Sequence, residues 1–354
     1  MATGGGSTLR EEEASLATRA AWLHYAGGLT QTDVAKRLGI TSLKAHRLIT
    51  RANQEGLVKV FIDGEVSDCV ALEQRLIDRY GLDYCEVVPD FDSDDLPLKA
   101  LGIAGAQFLK REIEREGAPL IGMGHGRTLA ALANQLPRMQ SAHVRFVSLL
   151  GGLTRKFSAN PHDVIHRLAD RTGADAYVIP VPFFANTLSD RAVLFSQRGV
   201  REIMDLAATA DLFVVGIGTT GPEASLVATG MIGTDEIEAV RALGGVGELL
   251  GHFFTRDGAL LETPLSGLTF TLTRDALAGR RVVAVAGGRR KAPAIHAVLC
   301  SGLLKGLVTD ERTASALVSG SIEDETASAA GPGGGRAAGG EDASAAGRHG
   351  PTRT

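Results

Sequence analysis

Three apolar runs in this chain end in glycine-rich turns with hydroxyl or basic side chains beside them: LIGMGHGRTLAALA (120–133), VVGIGTTGPEASL (214–226) and VAVAGGRRKAPAIHAVL (283–299). Backbone N–H groups in such turns, together with the positive end of a following helix, favour an anion or a ring of hydroxyl oxygens. Thr128, Thr219 and Thr220 add hydroxyl donors, and Arg127 or Lys291 adds charge. One such turn is usually only a tight connection, whereas three on one sheet would open onto a shared crevice. The spacing Gly122-Met123-Gly124-His125-Gly126 is not GxGxxG, and no GxxxxGK[ST] occurs. A nicotinamide site and a triphosphatase loop are therefore disfavoured, and no cofactor is expected.

A second constellation lies near the N-terminus, in LGITSLKAHRLITRANQ (38–54). Ala45, Leu48, Ile49 and Ala52 fall at i, i+3, i+4, i+7 and make one apolar helix face. Lys44, Arg47 and Arg51 fall on another, with His46 beside them. Thr30 caps a short preceding helix, Gly39 ends it, and Thr41 or Ser42 caps the second. Two short helices about a tight turn, the second basic outward, predict a helix–turn–helix that places α-helical side chains in the major groove of double-stranded DNA. Lys and Arg would hold phosphates while the first turn of the second helix reaches base edges. The whole-chain charge of −4 hides this patch: from Thr30 to Val60 six Lys and Arg face only Asp33 and Glu55, a surplus of four that leaves −8 for the rest.

The elements that must position these residues follow from periodicity. Residues 1–8 are Gly/Ser/Thr-rich and read as disordered; 9–62 read as the helical DNA-binding domain, with Ala17, Ala21 and Tyr25 on one face and LVKVFIDG as a strand, giving a winged type. Residues 63–82 read as a linker helix. From 83 to 318 short apolar runs (CEVVP, PLIGMG, VRFVSLLGG, AYVIPV, LFVVGIG, RVVAVAGG, GLVTD) alternate with helical stretches, which predicts a Rossmann-like α/β domain with a parallel sheet covered on both faces. Residues 319–354, Gly/Ala/Ser-rich and without an aromatic residue, read as a disordered tail. The three scattered cysteines lack any CxxC pair, which argues against a disulfide framework or a zinc site and suits a reducing cytoplasm, and no apolar run approaches a membrane span. His143, His162 and His166 make no metal-ligand pattern, His252 reads as a hydrogen-bonded residue at a domain edge, and VPFFANTLSD reads either as crevice lining or as core plus a cap at Ser189.

With these motifs in view, the chain resembles the SorC family of sugar-responsive transcriptional regulators. In LTQTDVAKRLGITSLKAHRLITRANQEGLVKVFID, Gln31, Ala35, Leu38, Gly39, Arg47, Leu48, Ala52 and Gly56 match the family pattern, while Ser42 and His46 stand where it often has Arg and Ser. GHGRTL resembles its SWGRTL with His125 for Trp, and GGVGELLGHFFTRDG resembles its GAVGDILGRFFDxxG with Glu248 for Asp. VGIGTTGPEASL, AVAGGRRKAPAI and LVTDERTASAL follow in order, and KAHRLI and TRKFSANPHDVIHRLA look most like a branch that regulates erythritol catabolism. The resemblance implies an effector domain similar in fold to sugar-phosphate isomerases. It implies that Gly124, His125, Gly126, Arg127, Thr128, Gly152, Asn160, Gly218, Thr219, Thr220, Glu248 and Lys291 surround a small sugar, sugar phosphate or polyol. It also implies DNA contacts from Gln31, Thr41, Ser42, Lys44, His46, Arg47 and Arg51 in a dimer or tetramer. The competing reading is an isomerase- or deaminase-like enzyme with His125 and Glu248 as its acid–base pair, for which the basic N-terminal helices would have no use.

Overall fold

The computed structural model of the chain describes residues 5–58, 67–89, 96–155, 160 and 162–322. Three helices open it: α1 (Gly5–Tyr25), α2 (Gln31–Leu38) and α3 (Ser42–Gln54). Ala17, Ala20, Ala21 and Leu23 of α1 bury against Val34 and Ala35 of α2 and Ala45, Leu48, Ile49 and Ala52 of α3, a small core of their own. Both expected caps form: Thr30 Oγ1 accepts from the Asp33 N–H and Thr41 Oγ1 from the Lys44 N–H. Gly39 sits at φ 65°, the left-handed conformation that ends α2 without steric cost. Two expectations are corrected. α1 reaches back to Gly5, because nothing between Ser7 and the helix-forming residues that follow breaks it, so 5–8 are helical. Tyr25 is 45% exposed rather than packed with Ala17: eight residues on, a helix has turned about 80° off that face. Its hydroxyl instead accepts from Asn53 Nδ2 at 2.6 Å. The strand expected in LVKVFIDG, the acidic run at Asp92–Asp95 and the tail from 323 onward lie outside the described residues.

Helix α4 (Ser67–Tyr80) is not a free linker. Its Cys69 and Leu76 are buried in one core with Leu82, Leu307 and Leu317, so it belongs to the α/β domain. That domain contains β1 (Tyr84–Val88), α5 (Leu98–Ile113), β2 (Leu120–Met123), α6 (Arg127–Gln135), β3 (Arg145–Leu153), α7 (Ile165–Thr172) and β4 (Asp175–Pro182). It continues through α8 (Leu188–Ser196), α9 (Arg198–Ala208) and β5 (Leu212–Val215). A small antiparallel sheet follows, β6 (Gly218–Thr219), β7 (Gly247–Leu249), β8 (His252–Phe254) and β9 (Leu260–Leu261), interleaved with α10 (Ser225–Ala228) and α11 (Thr234–Ala242). The chain closes with α12 (Arg274–Leu277), β10 (Val282–Val285), α13 (Ala292–Cys300), β11 (Gly306–Asp310) and α14 (Glu311–Ser319).

The seven longer strands are the seven expected, in one parallel sheet of order β1-β11-β10-β5-β2-β3-β4. β2, β5, β10 and β11 are buried along their whole length, which is why they read as unbroken apolar runs. The winding runs outward from β2 to β4 and then returns to β5 on the other side of β2. The β2/β5 boundary is therefore the point where the winding reverses, and a crevice opens there beyond the carboxyl ends of the strands. Ser189 does not cap α8; Thr187 does, its Oγ1 accepting from the Asp190 N–H. Phe183 and Phe184, just before it, are core.

Candidate functional site

One cleft occupies that reversal point. The loop from β2 and the start of α6 contribute His125, Gly126, Arg127 and Thr128; β3 contributes Leu150, and the segment beyond it Asn160 and His162. Gly216, Ile217, Gly218 and Thr219 come from the turn after β5, Glu248 from β7, and Lys291 from the 3₁₀ turn Arg289–Lys291 that opens α13. The parent strands β10, β5, β2 and β3 are neighbours, so sequence-distant loops meet because their strands are adjacent. Three expected residues do not line the cleft. Gly124 is buried in the wall, its N–H donating to Val214 O; Gly152 lies within β3; and the buried Thr220 spends its hydroxyl on Gly245 O at 2.7 Å. The turn after β5 also departs from expectation, since it first adds β6 to the small sheet before reaching a helix.

The polar groups of the cleft are individually oriented. Asn160 Oδ1 accepts from the His162 N–H at 2.9 Å, which turns its amide nitrogen towards His125 Nδ1 at 2.7 Å. An amide nitrogen can only donate, so Nδ1 is the acceptor and the imidazole carries its proton on Nε2. Burial, with His162 nearby, pushes the His125 pKa down to about 4, so the ring is a neutral N–H donor at ordinary pH. Its ring also stands edge-on to Phe183, with centroids 5.2 Å apart. Lys291 Nζ donates to Ile217 O at 2.9 Å; burial and then the Arg127 charge pull its pKa down to about 8, against the Glu248 carboxyl. Glu248 is 8% exposed, and burial raises its carboxyl to about 7, opposed by the Gly251 N–H and by Lys291. Its Oε1 accepts from that N–H at 2.6 Å.

The carboxylate is held by an unusual hairpin. Leu249 pairs with His252, so Leu250 and Gly251 form a two-residue turn, at φ 50° and 79°. Both positions left-handed is the mirror-type hairpin turn, which Asn and Gly occupy readily and Leu does not. The turn brings Leu250 into the cleft wall and aims the Gly251 N–H at Glu248. Across the sheet Gly218 pairs with Glu248, and a Cβ at Gly218 would stand 2.2 Å from Glu248 Oε2. A side chain at 218 would displace the carboxyl from its present position against β6. The cleft thus offers neutral donors in His125 and in hydroxyls such as Thr219 and Ser225, two cations, and one carboxyl whose charge depends on pH, among Leu129, Leu150, Leu226 and Leu250. That mixture suits a small polyhydroxylated molecule, whose hydroxyls both donate and accept.

Sequence reasoning did not pick out Leu129, Leu150, Leu226 or Leu250 as lining. Their side chains read as core, and only the fold shows which apolar residues face a cleft. His162, treated as surface or cap, also lines it; His252 donates its Nε2–H to Leu272 O, 2.8 Å away, as a hydrogen-bonded edge residue should.

On the N-terminal helices, Thr41, Ser42, Lys44, His46 and Arg47 are exposed, and Gln31 and Arg51 partly so. His46 Nδ1 lies 3.2 Å from Gln31 Oε1, which joins the start of α2 to the outer side of α3. Arg51 is not available as a bare cation, because its Nε meets Glu55 Oε1 at 2.6 Å. Among the described residues Lys44 and Arg47 have no ion-pair partner.

Comparison with known proteins places this geometry. Residues 64–319 match the family described as "Putative sugar-binding domain". The chain is 56% identical over 310 residues to the erythritol catabolism regulatory protein EryD of Brucella abortus, covering 88% of this chain and 98% of that one. It is 34% identical over 321 residues to the transcriptional regulator LsrR of Klebsiella pneumoniae, covering 88% and 95%. Among solved structures, the full-length sorbitol operon regulator SorC from Klebsiella pneumoniae superposes with a TM-score of 0.66 at 24% identity, covering 86% of this chain and 98% of that one, a likeness of fold. The sugar-binding domain of a transcriptional repressor from Vibrio fischeri does so with a TM-score of 0.64 at 26% identity, covering 72% and 100%. With the cleft, the sheet and these matches together, the chain belongs to the SorC-type family of sugar-binding regulators, on the branch of the erythritol catabolism regulator.

Proposed function

We propose that this protein is a DNA-binding transcriptional regulator of a sugar or polyol catabolic operon, controlled by a small effector bound in the cleft. The observation that carries the reading is its 56% identity, over 98% of that relative's length, to a protein named for regulating erythritol catabolism. In this reading α2 and α3 form a helix–turn–helix of the winged type, with Lys44 and Arg47 on phosphates and Ser42 and His46 towards base edges. One such unit reads one half-site, so the working form is a dimer or a tetramer. The α/β domain, isomerase-like in its layering, holds an erythritol-related polyol or its phosphate: His125 Nε2–H, Arg127 and Lys291 donate to it and Glu248 accepts. Control requires the effector to bind one DNA-affinity state better than the other.

The second reading, an isomerase-like enzyme, draws on one observation: Glu248, poised near 7, shares a cleft with His125. Calorimetric titration of the full chain with erythritol, erythritol phosphates and a panel of sugar phosphates tests the first reading, with turnover followed in the same samples. Saturable binding without turnover, lost in Lys291→Ala, is the expected result. Turnover abolished by Glu248→Gln would overturn it in favour of the enzyme.

A further inference from the structure

The outward side of α3 holds a residue that neither its charge nor its core explains. On a helix of 3.6 residues per turn, Leu43, His46, Arg47 and Thr50 fall at i, i+3, i+4, i+7. The inner face, Ala45, Leu48, Ile49 and Ala52, lies diametrically opposite and is buried. Leu43 is thus in the first turn, at the centre of the outward face, and 61% of its surface is exposed. Thr41 caps the helix two residues before it, so the turn that presents Leu43 is a formed one. Its surroundings are those of a polyanion-facing surface: Ser42 and Lys44 flank it in sequence, and His46 and Arg47 lie one turn on, all exposed. His46 is steadied by Gln31 from the neighbouring helix. A single exposed leucine is ordinary on a protein surface. One at the point of a capped helix, ringed by donors and unpaired cations, is placed where a recognition helix enters the major groove first.

The groove offers one apolar feature, the C5-methyl of thymine. We propose that Leu43 is a base-reading residue that packs on a thymine methyl in each operator half-site, while Lys44 and Arg47 hold the flanking phosphates. The assignment rests on the DNA-binding reading above. It adds a defined base preference at one position per half-site, read by apolar contact and not by a hydrogen bond.

The test uses the full chain, and the Leu43→Ala variant, on duplexes selected by the full chain from a random-sequence pool. Each thymine of the selected duplex is then replaced by uracil, which removes only the methyl. Leu43 is exposed, so Leu43→Ala is expected to keep the helical content and unfolding midpoint of the parent. For the parent, uracil at the contacted position of a single half-site should weaken binding about fourfold, the worth of one buried methyl-sized group. Leu43→Ala should bind the thymine and uracil duplexes equally. A thymine-to-uracil ratio unchanged by Leu43→Ala, or no position at which the methyl matters, overturns the assignment while leaving DNA binding in place. Failure of the parent to select any duplex at low salt would instead overturn the DNA-binding reading, and the assignment with it.

Discussion

Glu248→Gln should make the effector-free protein more stable, and increasingly so as pH rises. The carboxyl is held at about 7 against an ordinary 4.5, chiefly by burial. Below the ordinary value it is protonated in folded and unfolded chains alike and costs nothing. As pH rises, the unfolded chain ionises first, so the folded state loses stability until its own carboxyl ionises near 7, beyond which the loss is constant. That rise is worth about 3 kcal/mol in full. Glutamine escapes the penalty while its amide oxygen can still accept from the Gly251 N–H. The variant forfeits the help that Glu248 gives the Lys291 charge, so the net gain is smaller. Between about pH 5 and about pH 8 the advantage of Gln over Glu should grow by roughly 2 kcal/mol. Urea unfolding of both proteins at several pH values, with equal m-values as a check on the unfolded state, measures it directly. A difference that is flat with pH, or a Gln variant less stable at pH 8, would mean that the carboxylate is ionised throughout and is sustained by Lys291. The account of the cleft as a site with a proton to spare would then fail.

Three further outcomes are expected. Long-range ¹H–¹⁵N spectra of the histidine-labelled protein should show His125 as the Nε2–H tautomer, and Asn160→Ala should release it to a mixture and weaken effector binding by roughly two- to tenfold; an unchanged tautomer in the variant would show that Asn160 does not set it. Gly218→Ala places a Cβ where Glu248 Oε2 now lies, so the buried carboxyl must shift, and should cost about 1–3 kcal/mol in chemical unfolding, more than the same change at Gly221, where a Cβ meets nothing within 4 Å. Lys44→Ala with Arg47→Ala should abolish operator binding, measured by fluorescence anisotropy, while calorimetric effector binding is unchanged; single variants should each lower the salt dependence of binding by about one contact.

What could be read from the chain and what could not has a physical pattern. The strands of the parallel sheet were legible because most are short apolar runs bounded by Gly or Pro, and the four central ones, β2, β5, β10 and β11, are buried along their whole length, as LFVVGIG and RVVAVAGG show. The small sheet was not: β6 and β9 are two residues long and β7 three, too short for any period to emerge. The two caps of α2 and α3 were legible from Thr30 and Thr41, because a hydroxyl before an amphipathic run has a local meaning. Tyr25 misled, since its place depends on helical drift and on Asn53, a long-range partner. In the cleft, His125, Arg127, Asn160, Glu248 and Lys291 were named from their motifs and do converge. Gly124, Gly152 and Thr220 belong to the same motifs but hold the wall up instead of facing the space. No sequence signal distinguishes a motif residue that faces the ligand space from one that supports it. Leu250 is the sharpest case: its left-handed turn position is one that leucine seldom takes, so only the structure could place it in the wall.

The most direct test of the central claim is binding of the full-length protein to DNA from its own upstream region, titrated with and without erythritol, its phosphates and other sugar phosphates. The account predicts tight binding that falls steeply with salt and that one of these small molecules either releases or strengthens, an effect lost in Lys291→Ala. Well-folded protein that binds no DNA at low salt, or binds it identically whatever occupies the cleft, would contradict it.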